Sequence, residues 1–100
     1  MHVADVARAF VEVLESNYNG PVNIASGTCV SLREVLSIVG ELTGRGDLIQ
    51  FGAREAPPGD PPRLAADVDI LQNHIGFIPA FDLKSGLDDA VGWWRKSLGL

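Results

Sequence analysis

The sequence predicts an α/β fold in which helices dominate and the strands are short. Three observations predict it. Hydrophobic residues recur at helical spacing in four segments, short β-prone runs lie between these segments, and turn residues separate them. The extended runs, at residues 22–25, 48–51 and 64–66, are too few and too short for an independent sheet. We therefore expect them to add to a sheet that belongs to something larger.

The first two helices have recognisable ends. The first is predicted at about residues 5–15, with Asp5 as its N-cap, and its broad apolar face suggests burial on more than one side. The second begins at Ser31, because Ser31 and Glu34 make the Ser-x-x-Glu pattern of a capping box. Gly44 ends that helix, since glycine accepts the left-handed conformation that closes a helix.

The last two helices are predicted from caps and spacing. Asp67 caps a short third helix that Gly76 ends, and Asp82 caps the fourth. The fourth helix carries an apolar stripe with steps of four, four, three and four residues, formed by Leu83, Leu87, Val91, Trp94 and Leu98. We expect this stripe to face the core.

Composition excludes several classes of function. The chain has 8 basic and 13 acidic residues and a net charge of −5. It therefore lacks the excess of basic residues that nucleic-acid-binding proteins use to contact phosphates. No apolar run approaches the roughly 20 residues of a membrane span. The single cysteine, Cys29, allows no internal disulfide and favours a reducing compartment, which we take to be the cytoplasm. Two histidines without cysteine partners do not predict a metal site.

A proline-rich loop at residues 52–63 is the candidate binding site. Asp60 lies among its prolines, and Arg54 and Arg63 flank it. Arginine binds phosphate with its planar fork, and a carboxylate accepts hydrogen bonds from sugar hydroxyls. The alternative is a plain connector with solvated charges, because loop residues are only enriched in function. The sequence contains neither a dinucleotide-binding glycine fingerprint nor a P-loop lysine motif.

Several short motifs, in order and at matching spacing, resemble those of the extended short-chain dehydrogenases/reductases, also called the NAD-dependent epimerase/dehydratase family. The matching segments are HVADVARA at residues 2–9, VNIASG at 22–27, SLREV at 31–35, GD at 59–60, RLAAD at 63–67, IGFIP at 75–79 and LKSGL at 83–87, followed by Trp94. Each motif is weak alone, and together they cover nearly the whole chain.

The resemblance implies a parent enzyme larger than this chain. Family members have an N-terminal Rossmann domain that binds NAD(P), a Tyr-x-x-x-Lys catalytic pair, and a smaller C-terminal region that binds a nucleotide-sugar. Neither the glycine fingerprint nor the catalytic pair is present here; the only tyrosine, Tyr18, has Val22 four residues on. We therefore expect residues 1–100 to be a single C-terminal substrate-binding subdomain, truncated from the parent, lacking the Rossmann core, not catalytic alone and binding neither NAD nor NADP.

The resemblance also assigns candidate residues. Asp60 matches the aspartate that contacts the nucleotide ribose in the family, whereas Pro57 stands where the phosphate-binding arginine is usual. Arg54 or Arg63 would then take the phosphate role. The implied partners are a nucleotide-sugar, the missing Rossmann domain, and further copies through the apolar faces of the first and fourth helices. Two alternatives stay open, a stand-alone interaction module without enzyme activity and a small-ligand-binding domain of another α/β class.

Overall fold

The computed structural model describes all residues from 1 to 100 and shows helices joined by irregular segments, with no β-strand. The α-helices are α1 (Val3–Glu15), α2 (Leu32–Thr43) and α3 (Leu83–Leu98). A 3₁₀ turn spans Gly46–Leu48, and a π-helical turn spans Ile70–Ile75. The predicted α/β class with short strands is therefore wrong, and the chain is all-helical.

The strand prediction failed because an extended segment becomes a strand only when a neighbouring segment pairs with its backbone. Residues 22–25 are irregular, and their contact with the neighbouring segment is a side-chain hydrogen bond, in which the Nδ2 of Asn23 donates to the carbonyl of Asp67 at 3.0 Å. Residues 48–51 are partly taken into the 3₁₀ turn, where the N–H of Leu48 donates to the carbonyl of Arg45 at 3.1 Å. Their β-prone side chains had no partner strand to join.

The backbone contacts divide the chain into two compact units. Unit 1 comprises Met1–Thr28 and Ala65–Leu83, and unit 2 comprises Cys29–Leu64 and Lys84–Leu100. Unit 1 contains all three fully buried hydrophobic residues, and four half-buried ones pack against them: Ala9, Leu71 and Phe77, surrounded by Val13, Val22, Ile24 and Ile75. Unit 1 thus has a small hydrophobic core of its own.

The start of α1 differs from the prediction. The helix begins at Val3, and His2 is its N-cap, because its Nδ1 accepts a hydrogen bond from the N–H of Ala4 at 3.0 Å. Asp5, the predicted cap, is only 1% exposed and lies inside the helix. The predicted burial on several sides is also wrong, since Phe10 and other apolar residues of α1 are exposed.

The ends of α2 lie at the predicted residues, although only one of the two hydrogen bonds of the predicted capping box is formed. The hydroxyl of Ser31 accepts from the N–H of Glu34 at 3.1 Å, and Gly44 ends the helix in the left-handed conformation with φ of 70°. Gly40 is buried where α2 meets the 3₁₀ turn, and a Cβ added there would lie 2.9 Å from the Cα of Gly46. The turn can approach α2 this closely only because Gly40 has no side chain.

The predicted third helix forms as the π-helical turn. The prediction of Asp67 as its N-cap is wrong, because Asp69 holds that position and Asp67 instead accepts from the N–H of Asp69 at 3.0 Å. Gly76 ends the turn with φ of 78°, as predicted. In α3 no residue is fully buried, and Trp94 and Leu98 of its predicted stripe are exposed. None of the helices combines the length and the apolar character needed to cross a membrane.

Candidate functional site

The candidate loop lies in unit 2, and all of its residues are exposed. Its tip is a tight turn in which the N–H of Asp60 donates to the carbonyl of Pro57 at 3.2 Å. Pro58 and Gly59 occupy the centre of this turn, and Gly59 has φ of 84°. Proline followed by a glycine of positive φ is typical of a type II turn. The turn fixes the backbone that carries Asp60.

Arg63 is the one predicted site residue whose side chain has a defined partner. Its Nε–H donates to the Sγ of Cys29 at 3.2 Å, and the Cys29 thiol lies 3.9 Å from the carbonyl oxygen of Leu64. The hydrogen bond to Cys29 raises the pKa of the Arg63 guanidinium. Because only Nε is used, the remaining N–H groups of this cation stay available for an anionic ligand.

The contact between Arg63 and Cys29 places the loop end beside the start of α2. Cys29 precedes Ser31, the N-cap of α2, by two residues. The other end of the loop is held by Phe51, whose ring lies 4.2 Å from the guanidinium carbon of Arg33 on α2. One end of the loop thus contacts the first turn of α2, and the other end contacts the residues just before α2.

Asp60 and Arg54 are not brought together with Arg63. Both side chains are exposed, and no hydrogen bond or ion pair holds either of them. The structure therefore supplies one positioned cation and two solvated charges along the loop. Such an arrangement can contact a polar, anionic ligand at the surface, but it does not enclose one.

A second polar cluster, in unit 1, was missed by the sequence analysis. The carboxylate of Asp5 accepts from the backbone N–H of Ala80 at 2.9 Å and of Phe81 at 3.0 Å, and also from Arg8 at 3.1 Å. Arg8 in turn donates to the carbonyl of Ile78 at 2.7 Å. This anchor, formed by Asp5 and Arg8 against residues 78–81, fastens α1 to the segment that leads into α3.

The anchor shifts the ionisation of its carboxylate. Burial alone raises the pKa of Asp5, but the hydrogen bonds from Ala80, Phe81 and Arg8 outweigh it, so that the pKa lies below its usual value. Asp5 is accordingly a structural anion whose acceptor sites are occupied by the chain itself. No signal in the sequence around Asp5 shows this, because its partners are 75 and 76 residues away.

Neither cluster has the ligands of a metal centre, as no group of three or more His, Cys, Asp or Glu side chains is placed to hold an ion. The ring of His2 stacks on Phe81 at 4.0 Å, and that of His74 meets Tyr18 edge-on at 5.2 Å. Both histidines therefore make packing contacts within unit 1.

Comparison with known proteins identifies the class to which these motifs point. The predicted resemblance to a C-terminal portion of the extended short-chain dehydrogenases/reductases is confirmed, since the chain matches nucleotide-sugar epimerases, dehydratases and reductases along almost its whole length. No protein-family model matches the chain, and no solved structure matches it significantly.

The individual relatives show how much of such a protein the chain represents. It is 32% identical to a UDP-glucose 4-epimerase of Azospirillum brasilense over 98% of the chain and 29% of the relative. It is 33% identical to a dTDP-4-dehydro-6-deoxy-D-allose reductase of a Streptomyces species over 95% of the chain and 28% of the relative. It is 29% identical to UDP-glucuronic acid decarboxylase 1 of Xenopus tropicalis over 97% of the chain and 23% of the relative. The chain thus spans less than a third of the length of these relatives.

Proposed function

We propose that this chain is the substrate-binding portion of an NAD(P)-dependent enzyme that epimerises, dehydrates or reduces a nucleotide-sugar. The observation that carries the proposal is the match of 95–98% of the chain to proteins whose names describe UDP- and dTDP-sugar chemistry. The cofactor, when bound by the rest of the parent protein, would accept and return hydride. The residues of this chain would bind and orient the sugar nucleotide.

Arg63 is the residue best placed for the nucleotide phosphates. Its Nε is held by Cys29, so the guanidinium plane is oriented before a ligand arrives and less side-chain entropy is lost on binding. Its remaining N–H groups match the paired oxygens of a phosphate. We therefore assign Arg63, rather than Arg54, to the role that an arginine at position 57 would take.

Asp60 would accept hydrogen bonds from the ribose hydroxyls. The proline–glycine turn fixes its backbone, and its carboxylate has no competing partner in the chain. A preorganised backbone lowers the entropic cost of binding. Arg54 is the more distant candidate, since nothing in the structure orients its side chain. The parent protein would work in the cytoplasm, where the exposed thiol of Cys29 stays reduced.

A titration followed by two-dimensional NMR tests this assignment. Adding UDP-glucose to the 100-residue chain should shift the amide signals of the loop with a dissociation constant of roughly 1 mM or weaker, because the loop alone is open. Arg63→Ala should weaken the binding by about tenfold. Glucose without the nucleotide should cause no shift.

Matched variants make the result specific. Arg45→Ala removes an exposed arginine of unit 2 outside the loop, whose only ion pair is with Asp47, and should leave the titration unchanged. NAD and NADP should give no saturable binding; a dissociation constant tighter than about 1 mM for either would contradict the proposed division between cofactor and substrate portions. Equal weakening by Arg45→Ala and Arg63→Ala would reduce the binding to general charge attraction and overturn the site.

A second function, a stand-alone interaction module, is favoured by one observation. Trp93 and Trp94 on α3 are 59% and 58% exposed, and large aromatic residues are enriched at protein interfaces. This function predicts no response to any nucleotide-sugar, together with a protein partner that quenches the tryptophan fluorescence. The NMR titration therefore separates the two functions.

A further inference from the structure

The four asparagines of the chain differ in how well the fold protects them. They are Asn17, Asn19, Asn23 and Asn73, and all four lie in unit 1. Asparagine is among the chemically labile residues of proteins, because its side-chain amide can be lost. The backbone nitrogen of the next residue can attack that amide when the nitrogen is accessible and no hydrogen bond holds it.

Hydrogen bonds hold the side chains of two of these asparagines. The Nδ2 of Asn23 donates to the carbonyl of Asp67 at 3.0 Å, and the residue that follows, Ile24, is β-branched and crowds its own nitrogen. The Nδ2 of Asn73 donates to the Oδ1 of Asp69 at 2.7 Å within the π-helical turn. In both cases the amide must leave its partner before it can react.

Asn17 and Asn19 are both exposed in the irregular segment after α1, but the nitrogens that follow them differ. The nitrogen after Asn17 is that of Tyr18, whose N–H donates to the Oγ of Ser16 at 3.2 Å. The nitrogen after Asn19 is that of Gly20, which is exposed, carries no side chain and donates no hydrogen bond. Asn19 is therefore the asparagine whose amide and following nitrogen are both unprotected.

The backbone around Gly20 also has the freedom that the attack requires. Gly20 has φ of 142°, in a region that residues with a side chain rarely adopt. No backbone hydrogen bond spans residues 17–21, and the turn is bridged by the hydroxyl of Tyr18, which donates to the carbonyl of Pro21 at 3.3 Å. The main chain between these two residues can therefore rotate while the bridge holds its ends.

We propose that Asn19 is a modification site, at which the chain converts its own side-chain amide to a carboxylate without an enzyme. The nitrogen of Gly20 attacks the Cγ of Asn19 and passes its proton, through water, to Nδ2. The new C–N bond closes a five-membered succinimide ring as the bond from Cγ to Nδ2 breaks and ammonia leaves. Water then opens the ring, so that one water is consumed, one ammonia is released and nothing is oxidised or reduced.

The two ways of opening the ring give two products. Opening at the side-chain carbonyl gives aspartate, and opening at the main-chain carbonyl gives isoaspartate, in which the main chain runs through Cβ and Cγ. Either product adds one negative charge to a chain whose net charge is already −5. Isoaspartate also lengthens the main chain by one atom, three residues before Val22, which packs against the core of unit 1.

Peptide mass spectrometry of the 100-residue chain, kept in mildly alkaline buffer, tests the proposal. Peptides that contain residue 19 should gain, with time, the mass difference between a hydroxyl and an amino group. Electron-transfer fragmentation should show both aspartate and isoaspartate at this position. Asn17, Asn23 and Asn73 are controls within the same molecule, and they should remain intact over the period in which Asn19 reacts.

The rate in the unfolded chain measures how much the fold protects Asn19. The folded chain should react at a rate within about tenfold of the chain unfolded in guanidinium chloride, because no hydrogen bond of the fold holds either reacting group.

Matched variants isolate the attack by the Gly20 nitrogen. Asn19→Gln keeps the amide but must close a six-membered ring, and it should react at least about tenfold more slowly. Asn17→Gln should leave the reaction at Asn19 unchanged. Asn19→Asp supplies the reference peptide for the aspartate product.

Three results would overturn the proposal. The first is a rate at Asn19 more than about tenfold lower in the folded chain than in the unfolded one. The second is reaction of Asn17 or Asn73 as fast as that of Asn19. The third is aspartate without isoaspartate, which would mean direct hydrolysis of the amide by water. The assay contains no nucleotide-sugar, so its outcome is independent of the proposed function.

Discussion

Asp5 and Asp60 both match aspartates of family motifs, yet their surroundings are opposite. Asp5 is buried in unit 1 and accepts three hydrogen bonds, two of them from backbone more than 70 residues away. Asp60 is exposed in unit 2, and only its backbone N–H is bonded. A carboxylate whose acceptor sites are filled by its own chain stabilises the fold, whereas one without partners is available to a ligand.

The largest expected effect comes from removing the buried carboxylate. Asp5→Ala leaves the N–H groups of Ala80 and Phe81 and the guanidinium of Arg8 without their acceptor, and unsatisfied polar groups are costly. The melting temperature should fall by about 8 °C or more in thermal denaturation followed by circular dichroism. The melting temperature of Asp5→Asn should fall less, because asparagine keeps the shape of the side chain and one acceptor oxygen. If the melting temperature of Asp5→Ala changed by less than about 2 °C, Asp5 would be no more important for stability than the exposed Asp60.

Acid should remove the same stabilisation without mutation. The pKa of Asp5 is lower in the folded chain than in the unfolded one, where it is about 3.9, so its contribution is complete above that pH. The contribution is lost as the pH falls through the folded-state pKa. The difference in melting temperature between the natural chain and Asp5→Asn should therefore be constant from pH 5 to 7 and shrink below about pH 4. A difference that widens in acid would show that the carboxylate is not stabilised as an anion.

In unit 2 the residue most important for stability is expected to be Gly40, because the backbone of the 3₁₀ turn packs directly against it. Gly40→Ala should destabilise the chain by about 1–2 kcal/mol, since the new Cβ would lie 2.9 Å from backbone and the clash exceeds the gain of roughly 1 kcal/mol in helix propensity. Gly92→Ala on α3 is the control, because nothing lies within 4 Å of its Cβ, and it should stabilise by up to about 1 kcal/mol. Urea denaturation measures both, and stabilisation by Gly40→Ala would show that the close approach is not kept in solution.

The smallest expected effect on stability is that of Asp60→Ala. The side chain is exposed and has no partner, so the melting temperature should stay within about 2 °C of the natural value. Binding of UDP-glucose should nevertheless weaken several-fold in the NMR titration, through loss of the hydrogen bonds to the ribose. If the melting temperature fell sharply while the titration was unaffected, Asp60 would be structural, like Asp5.

Local signals made part of the fold predictable. The cap at Ser31 and the glycine ends at Gly44 and Gly76 are confirmed, because each depends on side chains within a few residues of the helix end. The class of the fold was not predictable, because β-prone residues such as Val22 and Ile24 pack against the core of unit 1 without any strand to pair with.

The candidate site was predictable only as a list of residues. Arg54, Asp60 and Arg63 follow from motif and chemistry, but the partner of Arg63 does not, because Cys29 lies 34 residues earlier in the chain. The role of Asp5 was hidden for the same reason, and its place near a helix start favoured the wrong interpretation as a cap. Contacts between distant parts of the chain decide which charges are structural.

The anchor has a consequence for amide hydrogen exchange. Ala80 and Phe81 lie outside every helix, and N–H groups in such segments usually exchange with solvent deuterium within seconds to minutes. Here both donate to the buried carboxylate of Asp5, and the ring of Phe81 is stacked on His2. These two protons can exchange only when the start of α1 separates from residues 78–81. Slow exchange of these two protons would therefore measure the opening of unit 1. Secondary structure alone would not predict slow exchange at these positions.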